Sequence, residues 1–340
     1  MRKLKVAQIG ILHDHAPAAF GSITYLKDEY EVVGFATEHE DDKVGECYAN
    51  YPRMTPEEIF AIPDLDAVIL ETSELNLTKY ALMAAERGIA IYMDKPGGIA
   101  LADFAKLIAI VKEKGLVFHT GYMYRYNPAV IKALELVRSG ELGEICSVEA
   151  HMNCYHKPAK RQWLDQFPGG MMFFLGCHLV DLVLQIQGVP EKVIPLNTCS
   201  GFDGVTADDI GFAVFQYKNG VSFVKTAACE ACGFMRRQLV IVGSKGTLEI
   251  NPLEEYVVDT PHDNQQVTVR LSTDKTVEKG ISSWRSIGAW DKIGPYDRYD
   301  NMMRSFAAIV RGDKVDPWDY DYELTLYKHI LAACGALELN

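Results

Sequence analysis

The chain has 340 residues, 48% of them hydrophobic and 24% charged, which is long enough for two domains with cores of their own. A formal charge of −12 argues against a nucleic-acid partner, since phosphate recognition needs a basic face. No apolar run approaches the roughly 20 residues that span a membrane, and Met1-Arg2-Lys3-Leu4-Lys5-Val6 leads into a strand rather than reading as a signal peptide. Eight cysteines are scattered singly, with Cys229 and Cys232 the one CxxC and no second pair to complete a zinc site. They are expected to be reduced, mostly buried small hydrophobes in a cytosolic protein.

In chain order, Leu4 to Ile9 reads as a strand ended by Gly10, followed by a helix over Ala16 to Leu26 and a second strand over Glu31 to Ala36. Short helices are expected around Asp42 to Tyr48 and Pro56 to Phe60. A strand over Asp66 to Leu70 and a helix over Leu75 to Arg87 follow. Ile89 to Met93 is a further strand, running into Asp94-Lys95-Pro96 and two glycines. The next helix lines Leu101, Phe104, Leu107, Ile108 and Val111 on one face, and Val117 to Thr120 is again a strand. Strands alternating with helices at this spacing mean βαβ units and a parallel, doubly wound sheet.

The first strand–turn–helix of such a sheet is the usual place for a dinucleotide pyrophosphate. The G-x-G-x-x-G register falls on Gly10, Leu12 and His15, so only the glycine of the tight turn is present. Ile11, Leu12, His13 and His15 are the loop's candidates for cofactor contact, with Thr72 and Asn76 beyond the third strand. At the end of the second strand stand Thr37 and Glu38, with no basic residue until Lys43. An acid there repels a 2′-phosphate, so NAD is favoured over NADP. His13-Asp14-His15 has metal-ligand residue types, but adjacent loop residues point in different directions and no partner ligand is near in sequence. Imidazoles that hydrogen-bond a cofactor phosphate or a substrate are the expectation here, and no metal is. Lys95, between an acid and a proline at the end of a parallel strand, sits where open α/β sheets bind ligands.

The second half changes character. Asn127 to Val137 is helical, Ile145 to Met152 alternates as a strand, and Leu175 to Ile186 carries an apolar helical stripe. Strands then dominate: Lys192 to Asn197, Asp209 to Gln216, Val221 to Ala228, Met235 to Val242, Gly246 to Ile250 and Gln266 to Leu271. Lys218-Asn219-Gly220 reads as a hairpin turn with Asn-Gly at positive φ. Helices over Tyr299 to Val310 and Tyr322 to Leu337 close the chain, with Asp316 to Tyr320 a loop. No internal repeats or low-complexity tracts are present.

Three runs in a fixed order carry a resemblance. They are Asp94-Lys95-Pro96, then Gly121-Tyr122-Met123-Tyr124-Arg125-Tyr126-Asn127-Pro128, then Ser139-Gly140-Glu141-Leu142-Gly143-Glu144-Ile145. With Trp163, Asp165, Gly169-Gly170, Gly176-Cys177-His178-Leu179-Val180-Asp181-Leu182 and Val242-Gly243-Ser244-Lys245-Gly246-Thr247-Leu248-Glu249, the chain resembles the Gfo/Idh/MocA oxidoreductases. The resemblance implies an N-terminal Rossmann domain, residues 1–122, binding NAD(H) or NADP(H). It also implies a substrate and oligomerisation domain, residues 123–340, of α+β type with a large, mostly antiparallel sheet through which copies pair; the C-terminal helices could pack back on the first domain. The active site would lie between the domains, and the substrate would be a sugar, cyclitol or glycoside.

Lys95 and His178 match the family's lysine and histidine, which act together on the hydroxyl proton while hydride leaves carbon. An imidazole with a pKa near neutrality suits that task. Where many members carry an aspartate one helical turn before this histidine, the chain has Phe174, which can neither accept a proton nor orient an imidazole. Asp181 and Asp165 are candidates to replace it, Asp181 being the more suited to a structural pairing. Tyr155, His156 and Trp163 before the histidine helix offer an aromatic face and donors suited to a polyol. Tyr124 and Arg125 are further substrate candidates, Arg125 equally fitting a structural ion pair. Besides a net dehydrogenase, the residues leave two readings open. One is a tightly held cofactor that oxidises a glycoside transiently to permit elimination or epimerisation; the other is a dinucleotide-binding sensor without turnover.

Overall fold

The computed structural model describes residues 2–257, 262–273 and 289–339. The chain opens with β1 (Leu4–Ile9), α1 (Ala16–Tyr25) and β2 (Tyr30–Ala36). It continues through β3 (Arg53–Met54), α2 (Pro56–Phe60), β4 (Ala67–Leu70), α3 (Leu77–Glu86), β5 (Ala90–Met93), α4 (Leu101–Lys114) and β6 (Phe118–Thr120). The six strands are all parallel, in the order β3-β2-β1-β4-β5-β6. Every residue of β4 and β5 is buried, as expected for strands with helices on both faces. Burying Val68, Ile69, Leu70 and Ile91 completely contributes roughly 1.5–3 kcal/mol each. The strand order reverses between β1 and β4, and the carboxyl ends of these two strands with β5 form the ligand-binding edge of such a sheet.

After α5 (Pro128–Arg138) the second sheet is built from β7 (Ile145–Asn153), β8 (Lys192–Pro195), β9 (Ile210–Tyr217), β10 (Gly220–Ala227), β11 (Gln238–Gly243), β12 (Gly246–Ile250), β13 (Glu255–Tyr256), β14 (Gln265–Thr273) and β15 (Ala289–Tyr296). It is antiparallel except for the β7–β10 pair, in the order β13-β14-β12-β11-β7-β10-β9-β8, with β15 on β14. Burial alternates along β7, β9 and β11, so one face is covered, by α5 and by α7 (Cys177–Gln187). A short helix, α6 (Pro158–Trp163), precedes α7, and α8 (Asp300–Arg311) and α9 (Tyr320–Ala333) end the chain. Both predicted sheets, one parallel and one mostly antiparallel, are therefore present.

By contact density the chain forms two units. One comprises Met1–Met123 with Arg298–Tyr327, the other Tyr124–Asp297 with Lys328–Asn340. In the first, Ser22 Oγ donates to Asp300 Oδ1 at 2.6 Å and Tyr30 Oη to the Met303 carbonyl at 2.6 Å, which fastens α8 beside α1. No described helix is long and apolar enough to cross a membrane.

Several local expectations are corrected. The histidine helix does not begin at Leu175: Met172–Gly176 is a π-helical turn and α-helix starts only at Cys177. The extra residue per turn removes the regular one-turn spacing between Phe174 and His178. The β9–β10 hairpin exists, but its two-residue turn is Lys218-Asn219, and neither Asn219 nor Gly220 has positive φ. Gly220 is required for another reason, because a Cβ there would collide with the Cys146 carbonyl. The strand expected from Met235 starts at Gln238, after a 3₁₀ turn over Gly233–Arg236, and the one expected to reach Asn197 ends at Pro195. β3, β13, β15 and α6 were not foreseen: β3, β13 and α6 are pieces of two to six residues, too short for periodicity to register, and the eight-residue β15 carries Gly294 and Pro295, which interrupt a strand pattern. The cysteines are not mostly buried: Cys154, Cys177 and Cys334 are, while Cys47, Cys146 and Cys232 are exposed.

Candidate functional site

In the first unit, β1 ends in Gly10, whose φ of +92° turns the chain away from the sheet. A Cβ at this position would collide with the Thr72 backbone nitrogen, so both the conformation and the close approach require glycine. The loop runs through half-buried Ile11 and exposed Leu12 to His13, which is buried. His13 N donates to the Glu71 carbonyl at 3.2 Å, and Nε2 lies 3.2 Å from the Lys95 carbonyl. His15 precedes α1, and its Nδ1 is 3.0 Å from Asp94 Oδ2. Residues separated by about 80 positions are thus brought together because β1, β4 and β5 are neighbours whose carboxyl ends share one edge.

That edge is densely charged. Glu71, Asp94 and Lys95 are completely buried, Glu74 nearly so. His13 Nδ1 is 3.5 Å from Glu71 Oε2 and 3.6 Å from Asp94 Oδ2, and its Nε2 is 3.7 Å from Glu74 Oε1. Burial lowers the His13 imidazole to about 3 and lowers His15 too, so both are neutral near pH 7. Burial raises the Glu71 carboxyl well above the carboxylate range, with the Asp94 charge adding to the rise. Burial would also raise Asp94, but its neighbours His13, His15 and Lys95 outweigh it and hold Asp94 ionised. With His13 neutral, Lys95 and the His15 hydrogen bond are the parts of that effect that persist at pH 7.

Lys95 has a rigid seat. Its backbone nitrogen donates to Asp94 Oδ1 at 2.6 Å, and the glycines after Pro96 are pinned. Thr78 Oγ1 donates to the Gly97 carbonyl at 2.8 Å and Tyr327 Oη to the Gly98 carbonyl at 2.7 Å.

At the far end of the same edge, the Glu38 carboxylate accepts from Ser73 N at 2.6 Å, Ser73 Oγ at 3.1 Å and Asn76 Nδ2 at 2.7 Å. Thr72 Oγ1 donates to the Ser73 carbonyl. Sequence reasoning missed Arg53, which the β2–β3 pairing places beside Thr37: its guanidinium donates to Thr37 Oγ1 at 2.7 Å and to the carbonyls of His39 and Glu40. Thr37, Glu38 and Arg53 line a groove of about 420 Å³ with Thr55 and Glu58. Only the pairing of a two-residue strand reveals this, so no sequence signal could have.

In the second unit, His178 is buried in α7 with its ring edge-on to Tyr124, centroids 5.1 Å apart. Tyr124 Oη donates to Glu254, which also accepts from Arg237 NH1 at 2.6 Å; all three are buried. Glu254 and Arg237 were also missed, lying more than a hundred positions from Tyr124 with nothing local to mark them. One turn beyond His178, Asp181 accepts a two-pronged bond from Arg125: Nε to Oδ2 at 3.0 Å and NH2 to Oδ1 at 2.8 Å. Gln185 Nε2 adds a third bond at 2.8 Å. Both residues thus make a buried structural pair.

Phe174 is 3% exposed and packs edge-on against Trp163, centroids 5.4 Å apart, with His156 at 6.4 Å. Lys160 Nζ lies 3.6 Å from the Trp163 ring centre and 4.9 Å from that of Phe174. α6 makes this possible, since Lys160 and Trp163 are three residues apart on one helical face. Trp163, His156 and Phe174 thus form one aromatic and cationic cluster. Tyr155 is 61% exposed, bridged to Cys229 outside it, and Asp165 is exposed.

Residues 130–249 match the family model described as the GFO/IDH/MocA C-terminal domain. The chain is 28% identical over 237 residues to the uncharacterized oxidoreductase YhhX of Escherichia coli, covering 70% of this chain and 65% of that one. It is 26% identical over 332 residues to D-xylose 1-dehydrogenase (NADP(+)) 2 of Haloferax volcanii, covering 96% and 90%. The crystal structure of UDP-N-acetylglucosamine 3-dehydrogenase GnnA from Acidithiobacillus ferrooxidans superposes with a TM-score of 0.77 at 17% identity, over 99% of this chain and 98% of that one, which shows a shared fold. Residues 130–249 thus carry the GFO/IDH/MocA C-terminal domain, and over most of its length the chain is similar to oxidoreductases.

Proposed function

We propose that the protein is a nicotinamide-dependent oxidoreductase that moves hydride between NAD(P) and a secondary alcohol or ketone of a sugar, cyclitol or glycoside. The observation that carries this is Lys95, a wholly buried ammonium held at the carboxyl end of β5, beside the switch point of a doubly wound sheet. A buried lysine on a pinned backbone is suited to holding a substrate oxygen and stabilising its negative charge. The cradle fits a dinucleotide: Gly10 gives the tight turn, and the groove at Thr37, Glu38 and Arg53 offers the polar groups that an adenosine ribose needs. Bound nicotinamide would supply the hydride-accepting carbon. In the first unit Lys95 would hold the substrate oxygen as alkoxide charge develops; in the second, His178 is the candidate acceptor for the hydroxyl proton, and the Trp163–Phe174–Lys160 cluster offers a face suited to the C–H side of a ring.

NADP is favoured over NAD on two grounds. Arg53 stands where a 2′-phosphate would be read, while Glu38 is already engaged by Ser73 and Asn76. The Haloferax relative's name also specifies NADP. Copies would pair through the second face of the nine-stranded sheet, where Phe212 stacks on Phe223 at 5.5 Å and Val221 and Trp290 are about half exposed.

The test is fluorescence titration with NADPH and NADH, then a polyol and sugar-nucleotide panel read by nicotinamide absorbance. Lys95→Met should keep dinucleotide binding and lose turnover by more than about a hundredfold. Binding of neither dinucleotide, or undiminished turnover in Lys95→Met, would overturn the proposal.

A further inference from the structure

The His13-Asp14-His15 stretch lacks a third ligand in sequence, and the fold supplies two. We propose that His13, His15, Asp94 and Glu71 bind a divalent transition-metal ion of the zinc class at the carboxyl ends of β1, β4 and β5. The donor atoms converge: His15 Nδ1 to Asp94 Oδ2 is 3.0 Å, His13 Nδ1 to Glu71 Oε2 is 3.5 Å, and His13 Nδ1 to Asp94 Oδ2 is 3.6 Å. One donor atom each from His13, His15 and Asp94 lies within 4.8 Å of the others. Ligands about 2.0–2.1 Å from a tetrahedral zinc stand about 3.3–3.4 Å from one another, so these separations are those of a coordination shell needing only small adjustment. Two imidazoles and two carboxylates are an ordinary zinc donor set.

Glu71 closes the fourth side of the cluster. Its side chain is completely buried, and Oε2 faces His13 Nδ1 at 3.5 Å.

The tautomer of His13 is also suitable. Its Nδ1 accepts from the His15 backbone N–H at 3.2 Å, so Nε2 carries the proton and donates to the Lys95 carbonyl at 3.2 Å. A ligating imidazole with its other nitrogen bonded to a carbonyl is the usual support for a metal-bound histidine. Binding would exchange the His15 N–H contact for the ion and move the His15 ring proton from Nδ1 to Nε2. His15, with 12% of its side chain exposed, is the side from which an ion enters. Such an ion would tie the loop after β1 to the ends of β4 and β5.

The inference does not rest on the dinucleotide reading, because metal stoichiometry is read on the protein alone. Untagged full-length chain, stripped with a chelator, would be titrated with Co²⁺ by absorbance and with Zn²⁺ by calorimetry. One equivalent with the intense visible bands of tetrahedral Co²⁺, displaced by Zn²⁺, is expected. His15→Gln and Asp94→Asn, each verified as folded by circular dichroism, should weaken binding by more than tenfold, the upper range seen even for outer-shell changes being about a hundredfold. A Cys229→Ser/Cys232→Ser variant should bind as the parent does. Absence of binding by the folded parent would overturn the site, as would binding lost in the cysteine variant but kept in His15→Gln and Asp94→Asn. So would an infrared band of a protonated carboxylic acid, removed by Glu71→Gln, in the metal-loaded protein, since Glu71 would then be sharing a proton with Asp94 instead of ligating.

Discussion

Replacing Arg125 with methionine tests how His178 is held. The Arg125 and Asp181 side chains are 0% and 1% exposed and joined by two bonds of 3.0 and 2.8 Å. Removing the guanidinium leaves Asp181 without its countercharge in a dry interior, and breaking a buried pair from one side costs about 3–5 kcal/mol. For a domain of 150–250 residues each kcal/mol shifts Tm by roughly 2–4 °C, so Arg125→Met should melt about 6–20 °C below the parent. Asp181→Leu alone should do similar damage. The double variant should return to within about 1.5 kcal/mol of the parent, because a well-packed apolar pair avoids the desolvation of both charges. A thermodynamic cycle from urea denaturation measures the coupling. Asp181 lies one turn from His178 on α7, so the single variants should also lose turnover, and the double variant should regain stability more completely than activity. If each single change cost less than about 1 kcal/mol, the pair would have to be hydrated and the account of α7 would be wrong.

Gly10→Ala should abolish dinucleotide binding and cost more than about 1 kcal/mol, since φ is +92° and the new Cβ collides with Thr72; calorimetric titration and urea melts would show it. Arg53→Gln should lower the ratio of NADPH to NADH affinity by about tenfold or more while leaving NADH binding within about twofold, in line with the loss of one charge-assisted phosphate contact. Phe174→Ala, which empties a 3%-exposed aromatic site, should destabilise by about 3–5 kcal/mol and remove the platform under Lys160. His151 is held below its usual value of 6.5, first by burial and then by Lys225 and Arg236. As pH falls through 6.5 the unfolded chain takes up a proton that the folded chain resists, so stability present above that pH is lost below it. His151→Gln should flatten the pH dependence of unfolding free energy in that acidic window, and an unchanged slope would count against the assignment.

Much of the architecture was legible locally. Apolar runs at Leu4 to Ile9, Asp66 to Leu70 and Ile89 to Met93, separated by helical stripes, are enough to define a parallel sheet, because strands buried on both faces must be continuous in hydrophobicity. The tight turn at Gly10 and the place of Lys95 at a strand end were legible too, since both follow from chain neighbours. What periodicity could not convey were features set by packing: the π turn that shifts Phe174 against His178, and the two-residue strand that brings Arg53 to Thr37. The pairings of Tyr124 with Glu254 and of His13 with Glu71 and Asp94 belong with them, joining residues 130, 58 and 81 positions apart. The sequence by itself determined the longer strands and helices, because those are decided by neighbours within a turn or a pleat. Only the tertiary structure decided which charges meet at the carboxyl ends of β1, β4 and β5, because burial and proximity there depend on strand order, and strand order is not a local property of any stretch of the chain.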